Sequence, residues 1–183
     1  MGLDPGFGSS AFGVCITELV DGMINVLHAE EYVRPGFDEI VQITLRLLDE
    51  YNITFNGHSR IFVDGANPAF IKVLKECLDE DPQYVKQIDY YKKTYPSVYD
   101  MDFLTQNMFV IPVYFSKEHK SMLAHCKAML EYQNGHVAIH PRFNKLITSL
   151  RTAVENGEGV LDKEATSHDD LFDSFRLSLV FWR

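Results

Sequence analysis

The sequence lacks the features of membrane-spanning and of secreted, disulfide-linked proteins. Its 183 residues contain no apolar run near the roughly 20 residues that a transmembrane helix needs, and they begin without the basic and apolar stretches of a signal peptide. The three cysteines are far apart and form no Cys-x-x-Cys pair, which excludes a disulfide framework and a cysteine zinc knuckle. We therefore expect a cytoplasmic protein without membrane contact.

Positive charge is also scarce. The chain has 17 Lys and Arg against 26 Asp and Glu, a net charge of -9. Because phosphate neutralisation by Lys and Arg supplies most non-specific nucleic-acid affinity, strong stand-alone DNA binding is not expected. No G-x-x-x-x-G-K-[ST] phosphate loop, Gly/Ser linker or internal repeat occurs. The 46% hydrophobic content suits one domain over residues 1–183 with a real core.

Apolar periodicity predicts an α/β fold with a mixed central sheet, three antiparallel strands followed by parallel strands, flanked by helices. Asp21-Gly22 between two apolar runs is a strong hairpin signal. Residues 80–107 lack clean periodicity and are interpreted as an ordered insertion. After a short strand that ends at Asp4, strands are predicted at residues 11–19, 23–32, 60–64, 110–115 and 136–139, and helices at 38–51, 69–78, 116–131, 143–154 and 169–181.

Acidic residues stand at the ends of predicted elements. Asp4 ends the first strand and Asp64 the fourth, whereas Asp169, Asp170 and Asp173 lie at the start of the last helix. If the two strands are neighbours and the helix packs across their ends, these carboxylates converge. Converging carboxylates repel one another, so such a cluster is stable chiefly when divalent cations neutralise it.

The predicted cluster favours two divalent metal ions. Hard oxygen ligands without His or Cys spacing select Mg²⁺ or Mn²⁺ over zinc, and two ions about 4 Å apart would activate a water and stabilise the leaving oxygen in phosphodiester hydrolysis. Asp4 would bridge both ions, Asp64 would hold one, and Asp170, alone or with Asp169 or Asp173, the other. Each acid also has an ordinary explanation as a turn residue or as an acid at a helix N-terminus, but their joint placement favours a metal site.

Three segments resemble the nuclease domain of large terminase subunits, the DNA-packaging motors of tailed phages and related archaeal or prophage elements. They are GLDPGFGSSAFGV, IFVDGANPAF and a C-terminal half with HVAIHP, a helix holding LITSL, and an HDD helix. The resemblance covers nearly all of the chain except residues 80–107. It implies an RNase H-like fold, two divalent metals, and cutting of concatemeric double-stranded DNA, with metal ligands at Asp4, Asp64 and Asp170 and with Asp169 as second choice.

The chain departs from that family in its N-terminal part. Large terminases carry an ATPase domain before the nuclease, yet no phosphate loop occurs here, and Met1 lies only three residues before Asp4. We therefore expect that this chain is a detached cutting domain whose ATPase domain is absent. The resemblance implies that this ATPase domain, the small terminase subunit and the portal are its partners in the host cytoplasm, and that they supply DNA affinity.

Three other interpretations remain open. A Holliday-junction resolvase shares the GLDPG opening and an Asp-x-x-Asp helix, in which Asp173 would be a metal ligand, but its basic junction surface conflicts with the acidic charge. An actin-like nucleotide-binding module would need a second phosphate hairpin and a longer chain. A non-cleaving RNase H-like scaffold of a packaging complex is the third.

Basic residues provide weaker candidates for DNA contacts, since scattered surface lysines are common. His168, directly before the acidic pair, is expected to share the N-terminal cap of the last helix with Ser167, and Ser116 is expected to cap the helix at 116–131. The candidate DNA contacts are Lys86, Lys92 and Lys93 in the insertion and Lys117, Lys120, Lys127, Arg142 and Lys145 in the last βα units.

Overall fold

The computed structural model of the chain describes residues 1–55, 58–94, 109–131 and 136–182. None of the helices in these ranges is long and apolar enough to cross a membrane. The strands are β1 (Gly2–Asp4), β2 (Ala11–Val20), β3 (Met23–Val33), β4 (Ile61–Asp64), β5 (Val110–Val113) and β6 (Val137–Ala138). The helices are α1 (Phe37–Glu50), α2 (Pro68–Asp79), α3 (Pro82–Thr94), α4 (Phe115–Glu131), α5 (Asn144–Thr152) and α6 (Asp169–Ser178), followed by a short 3₁₀ helix (Val180–Trp182).

The strands form one mixed sheet in the order β5-β4-β1-β2-β3-β6. Strands β1, β2 and β3 are antiparallel neighbours, whereas β4 joins β1, β5 joins β4 and β6 joins β3 in parallel. The predicted mixed sheet is therefore confirmed, with the first three strands antiparallel and the later ones parallel.

The β2–β3 hairpin forms at the predicted turn. Asp21 and Gly22 have φ angles of 51° and 80°, the left-handed conformations that a two-residue hairpin turn requires. The register then shifts by one residue, because Thr17 pairs with Val26 but Ile16 pairs with His28. This bulge decides which β3 side chains face the end of β1.

The two faces of the sheet bury different helices. Phe12, Val14 and Ile16 alternate along β2 and pack with α1 and α2, whereas Cys15 on the opposite face packs with α6. Burial raises the pKa of the Cys15 thiol to about 12, as expected for a core cysteine. The sheet is thus the middle of three layers, and α6 is the element that crosses β1 and β2.

Helix α6 lies directly on the sheet because two strand residues facing it are glycines. A Cβ atom at Gly2 would overlap the backbone of Ser174, and one at Gly13 would overlap the carbonyl oxygen of Asp170. The obstacles are backbone atoms, which cannot rotate away. The close approach brings the start of α6 to the end of β1 and the beginning of β2.

We expect the Gly13→Ala variant to lose about 1–3 kcal/mol of unfolding free energy, because the added methyl group forces α6 away from the sheet. Gly157→Ala is the control, since a Cβ there meets nothing within 4 Å. Urea denaturation of both variants measures the difference. Equal stabilities for the two variants would contradict the close packing of α6 on β2.

The insertion contains a helix that the sequence did not predict. In α3 Tyr84 is buried, and Ile88 and Tyr91, at helical spacing from it, are only half-buried against the same core, so the apolar stripe is short and weak. Tyr84 packs against Phe55 and Phe109 with ring centroids 5.8 and 5.5 Å apart. The prediction for residues 95–107 lies outside the described residues.

Both predicted serine caps are wrong. Helix α4 begins at Phe115, directly after the strand, because the Tyr114 carbonyl already accepts the amide of Glu118 at 3.1 Å. Ser167 lies one residue too early, since its amide donates to Thr152 Oγ1 and His168 occupies the cap position of α6. His168, which was expected to share the cap, occupies the N-cap position in a left-handed conformation with φ 54°, but its side chain makes no cap hydrogen bond.

Candidate active site

The carboxyl ends of two neighbouring strands bring Asp4 and Asp64 together. β1 and β4 run parallel with Leu3 opposite Val63, so the next residues along the strands are Asp4 and Asp64. Across the antiparallel pairs, Asp4 faces Gly13, and Gly13 faces Glu31. Cross-strand partners share one face of a sheet, so two aspartates, a glycine and a glutamate form a row beneath the start of α6.

Helix α6 adds its own carboxylates above this row. Asp173 is completely buried, whereas the side chain of Asp169 is 29% exposed. Asp170 is intermediate in exposure, and its backbone carbonyl lies over Gly13. The acids proposed from the sequence are therefore brought to one place, with Asp173 the most deeply buried of the α6 group.

Asp4 is buried and lies close to other carboxylates. The side chain is only 8% exposed, and burial together with the nearby charges of Asp173 and Asp170 raises its pKa well above the usual value. Of the surrounding carboxylates, Asp173 acts on Asp4 most strongly and Asp64 least. Asp4 is thus the central acid of the cluster, and Asp173 is its main partner on α6.

The flanking acids respond in the same direction. Burial raises the pKa of Asp64, although a hydrogen bond from the Ala66 amide to Oδ1 at 3.1 Å offsets part of the shift. Burial, followed by repulsion from Asp169, raises the pKa of Asp170 to about 6. Added positive charge would stabilise the ionised carboxylates of Asp4, Asp64 and Asp170.

Lys163 supplies part of that charge and was not proposed from the sequence. Its Nζ lies 3.1 Å from Asp173 Oδ2 and 3.5 Å from Asp169 Oδ2. Burial lowers the pKa of the Lys163 ammonium, but the charges of Asp173 and Asp4 outweigh this effect and raise it above its usual value. The lysine therefore stays charged in the centre of the acids.

Arg176 compensates Asp173 from within the core. Its Nη2 and Nε lie 2.6 and 2.8 Å from Asp173 Oδ1, and the residue is only 1% exposed. The guanidinium stacks 4.3 Å from the Phe115 ring centroid and lies 3.3 Å from His119 Nδ1. Arg176 thus fixes one oxygen of Asp173 and leaves Oδ2 directed to the cluster.

Glu31 is a further acid that the sequence did not identify. Its Oε2 lies 2.6 Å from His168 Nδ1, and its side chain is 11% exposed. This contact ties the start of α6 to β3 and, together with the glycine contacts, fixes the position of Asp170. The negative charge of Glu31 also contributes to the raised pKa of Asp170.

The basic residues proposed for DNA contacts lie in two places relative to the acids. Lys117 lies on α4, which begins at the same sheet edge as the end of β4, and its Nζ lies 5.7 Å from the Tyr114 ring. Lys120 is on the next turn of α4, with its side chain near Gly159. Lys86, Lys92 and Lys93 lie instead on α3, which packs beside the beginning of β5.

The other three candidates already have protein partners. Lys145 Nζ lies 2.6 Å from Glu30 Oε1, and Arg142 Nη2 donates to the Leu27 carbonyl at 3.1 Å. Lys127 pairs with Glu131 along α4 at 4.0 Å. Participation in DNA binding stays a prediction for all of these residues.

The chemistry of the cluster fits divalent metal ions, although the side chains are not arranged as a preformed site. Among residues 1–55, 58–94, 109–131 and 136–182, no three His, Cys, Asp or Glu side chains are placed so that they could hold a metal ion. The donors are nevertheless carboxylate oxygens, which Mg²⁺ and Mn²⁺ prefer. In addition, Asp173 Oδ2 is buried and faces the Lys163 ammonium at 3.1 Å, so a cation that displaces the lysine could take this oxygen.

We expect the Asp170→Asn variant, without metal, to gain stability over the parent protein as pH rises. The pKa of Asp170 is about 6 in the folded state and lower in the unfolded state. Ionisation of Asp170 therefore destabilises the folded parent progressively as pH rises through 6, and the variant avoids this loss. The advantage of the variant should be absent below about pH 4 and reach about 1–2 kcal/mol near pH 7, allowing for solvent screening. Thermal melts in EDTA across this range measure it, with exposed Asp89→Asn as control.

A variant advantage that does not change with pH would contradict the electrostatic cause, because packing differences alone do not titrate.

Comparisons with known proteins identify the fold. No family model and no curated protein matches the sequence. The structure is similar to that of the large terminase nuclease from thermophilic phage G20c, with 15% identity and a TM-score of 0.55 over 97% of this chain and 78% of that one. It is also similar to the large terminase nuclease domain of bacteriophage SPP1 with bound Mn, with 12% identity and a TM-score of 0.52 over 100% and 85% of the chains.

At such identities the likeness establishes the fold. The RNase H-like fold that the sequence resemblance implied, with its mixed six-stranded sheet flanked by helices, is confirmed.

Proposed function

We propose that this chain is a metal-dependent endonuclease that cuts double-stranded DNA during viral genome packaging. The observation that carries the proposal is the convergence of carboxylates at the end of β1 in a fold shared with terminase nucleases. Asp4 and Asp64 come from the strands, and Asp170 and Asp173 come from α6. Burial, followed by repulsion from Asp173 and Asp170, raises the pKa of Asp4 well above its usual value, which is the electrostatic character expected of a cation-binding centre.

The acids have different parts in the proposed site. Asp4 stands between the others and is the natural bridging ligand, while Asp64 would serve one ion. Asp170 and Asp173 would serve the other, with the more exposed Asp169 as a possible addition. Arg176 holds Asp173 Oδ1 and thereby keeps Oδ2 turned toward the cluster.

Two Mg²⁺ or Mn²⁺ ions bound there would activate a water and stabilise the leaving oxygen of the phosphodiester. The SPP1 nuclease domain was crystallised with Mn, which supports this choice of cations. The carboxylates of the cluster outnumber the cationic side chains of Lys163 and Arg176. Divalent ions could therefore neutralise the remaining negative charge without any further ligand.

The net charge of -9 makes helper components necessary. We propose that an ATPase domain of the large subunit, the small terminase subunit and the portal hold the DNA for this domain in the host cytoplasm. Lys117 and Lys120, on the helix that starts at the site's edge of the sheet, would contact the backbone of the bound DNA. The acidic surface then limits cutting to DNA that the packaging complex presents.

A plasmid-nicking assay tests the function. Supercoiled DNA is incubated with the protein at low salt in Mn²⁺, Mg²⁺ or EDTA, and the open-circular product is quantified. We expect nicking with the divalent ions and none in EDTA. Cleavage that persists in EDTA overturns the metal-dependent mechanism, and absence of cleavage with every ion, in a folded protein, favours the non-cleaving scaffold.

A further inference from the structure

The ammonium group of Lys163 lies where the acidic cluster has its free oxygen. Asp173 Oδ1 is taken by Arg176 at 2.6 Å, so Oδ2 is the oxygen left to face the cluster. Lys163 Nζ lies 3.1 Å from that same Oδ2 and 3.5 Å from Asp169 Oδ2. A metal ion that uses Asp173 must therefore take the oxygen that the lysine now neutralises.

The loop before α6 places Lys163 in this position. The Asp162 carboxylate accepts the amides of Glu164 and Ala165, both at 3.1 Å, which closes a turn around Lys163. One residue before the turn, the Leu161 amide donates to His119 Nε2 at 2.8 Å. The backbone at Lys163 is thus anchored on both sides to ordered structure.

The Lys163 side chain can turn toward solvent although its backbone is held in place. It is 54% exposed, whereas Asp173 is completely buried. Movement of the ammonium into solvent therefore buries nothing new and breaks only ion pairs. The same movement would leave Asp4 and Asp173 without their nearest mobile cation, which another cation must replace.

We infer that Lys163 is a built-in counter-ion that neutralises the acidic centre in the metal-free protein and competes with divalent ions for it. The inference rests on the proposed metal-dependent function and adds a way in which metal binding is regulated. Lys163 acts through the acids as a positioning residue: it keeps the carboxylates together before metal arrives and sets the metal concentration at which the centre fills.

Mn²⁺ affinity without DNA tests the inference, measured by calorimetry on the parent protein and on the Lys163→Met, Lys163→Gln and Lys163→Arg variants. Removing a neighbouring positive charge should tighten Mn²⁺ binding about tenfold in the Met and Gln variants. Arginine keeps the charge and should keep the parent affinity. The control, Lys72→Met, removes the same charge from an exposed ion pair with Glu76 on α2 and should change nothing.

Melting in EDTA supplies a second measurement. The Met and Gln variants should melt about 2–4 °C lower than the parent, since the acids lose a partly exposed counter-ion. Unchanged or weaker Mn²⁺ binding in both variants, beside a parent that binds Mn²⁺, overturns the inference and leaves the nuclease proposal standing. A folded parent that neither binds Mn²⁺ nor cuts DNA overturns both.

Discussion

Asn in place of Asp4 is expected to abolish metal-dependent cleavage and, at the same time, to stabilise the metal-free protein. Asp4 is the central carboxylate of the cluster, so its loss should reduce the cleavage rate on the order of 10³-fold or more. The folded pKa of Asp4 is raised, first by burial and then by Asp173, so folding at neutral pH works against the preferred ionised form. An amide of the same shape avoids this cost, and we expect a gain on the order of 1 kcal/mol or more at pH 7.

The stability difference between Asp4→Asn and the parent protein should depend on pH. A carboxyl whose pKa is higher in the folded state favours folding below its unfolded pKa, and this contribution is lost as pH rises. The advantage of Asp4→Asn should therefore vanish near pH 4 and grow toward neutrality. A purely structural change would not follow this course.

Three measurements check this prediction: nicking rate in Mn²⁺, melting temperature in EDTA, and the increase in melting temperature on adding Mn²⁺. The variant should fail the first, exceed the parent in the second and lose the third. The exposed Asp89→Asn should resemble the parent in all of them. Parent-like cleavage by Asp4→Asn would remove Asp4 from the active site, whereas a destabilised variant would contradict the repulsion inferred at Asp4.

The fold was predictable because strong local signals agreed with the tertiary packing. One interpretation was dominant for each of three segments: the Asp21-Gly22 turn, the amphipathic helix α1, and the unit of β4 (Ile61–Asp64), loop and α2. Helix α3 was missed because its apolar stripe is short, with Tyr84 buried and Ile88 and Tyr91 only half-buried. There the helix is stabilised by an aromatic cluster that forms only once Phe55 and Phe109 meet in space.

The strand acids were predictable, whereas Glu31 was not. A regular hairpin closed by Asp21-Gly22 would place Glu30 opposite Gly13, but the bulge between Ile16 and Thr17 moves Glu31 there. The β3 side chains buried beside α6 are Ile24 and Val26 before the bulge and Ala29 after it, and this single change of phase is too short to predict a bulge from the sequence. The sequence therefore predicted that Asp4 and Asp64 lie at strand ends, where the structure has them side by side, but it did not identify Glu31.

The α6 acids show a different limit. Asp170 and Asp173 are three residues apart and share one helix face, so spacing could not rank them. Packing does, because Asp173 is the buried one and Arg176 pairs with it. The choice of Asp170 as the principal ligand stays a prediction, and Asp173 now has an equal claim. The position of Lys163 could not be predicted from the sequence, because the loop that carries it is held by a tertiary contact between Leu161 and His119.

Loss of the buried Arg176 is expected to be the most destabilising single change in the site. The Arg176→Met variant keeps much of the stem that packs near Phe115 but leaves the Asp173 charge in the core with Lys163 alone. Breaking a buried ion pair by removing one partner typically costs about 3–5 kcal/mol. For a chain of this size, that corresponds to a melting temperature roughly 10 °C lower.

A double-variant cycle separates charge from packing. If the cost arises from the stranded carboxylate, neutralising it in Asp173→Asn/Arg176→Met should recover at least about 1 kcal/mol relative to the sum of the single variants. Urea denaturation in EDTA gives the four free energies. Strict additivity would mean that Arg176 stabilises the protein through its contacts with Phe115, Phe172 and His119 and not through Asp173. Asp173 Oδ2 would then not owe its direction toward the cluster to Arg176, and the case for Asp173 as a metal ligand would weaken.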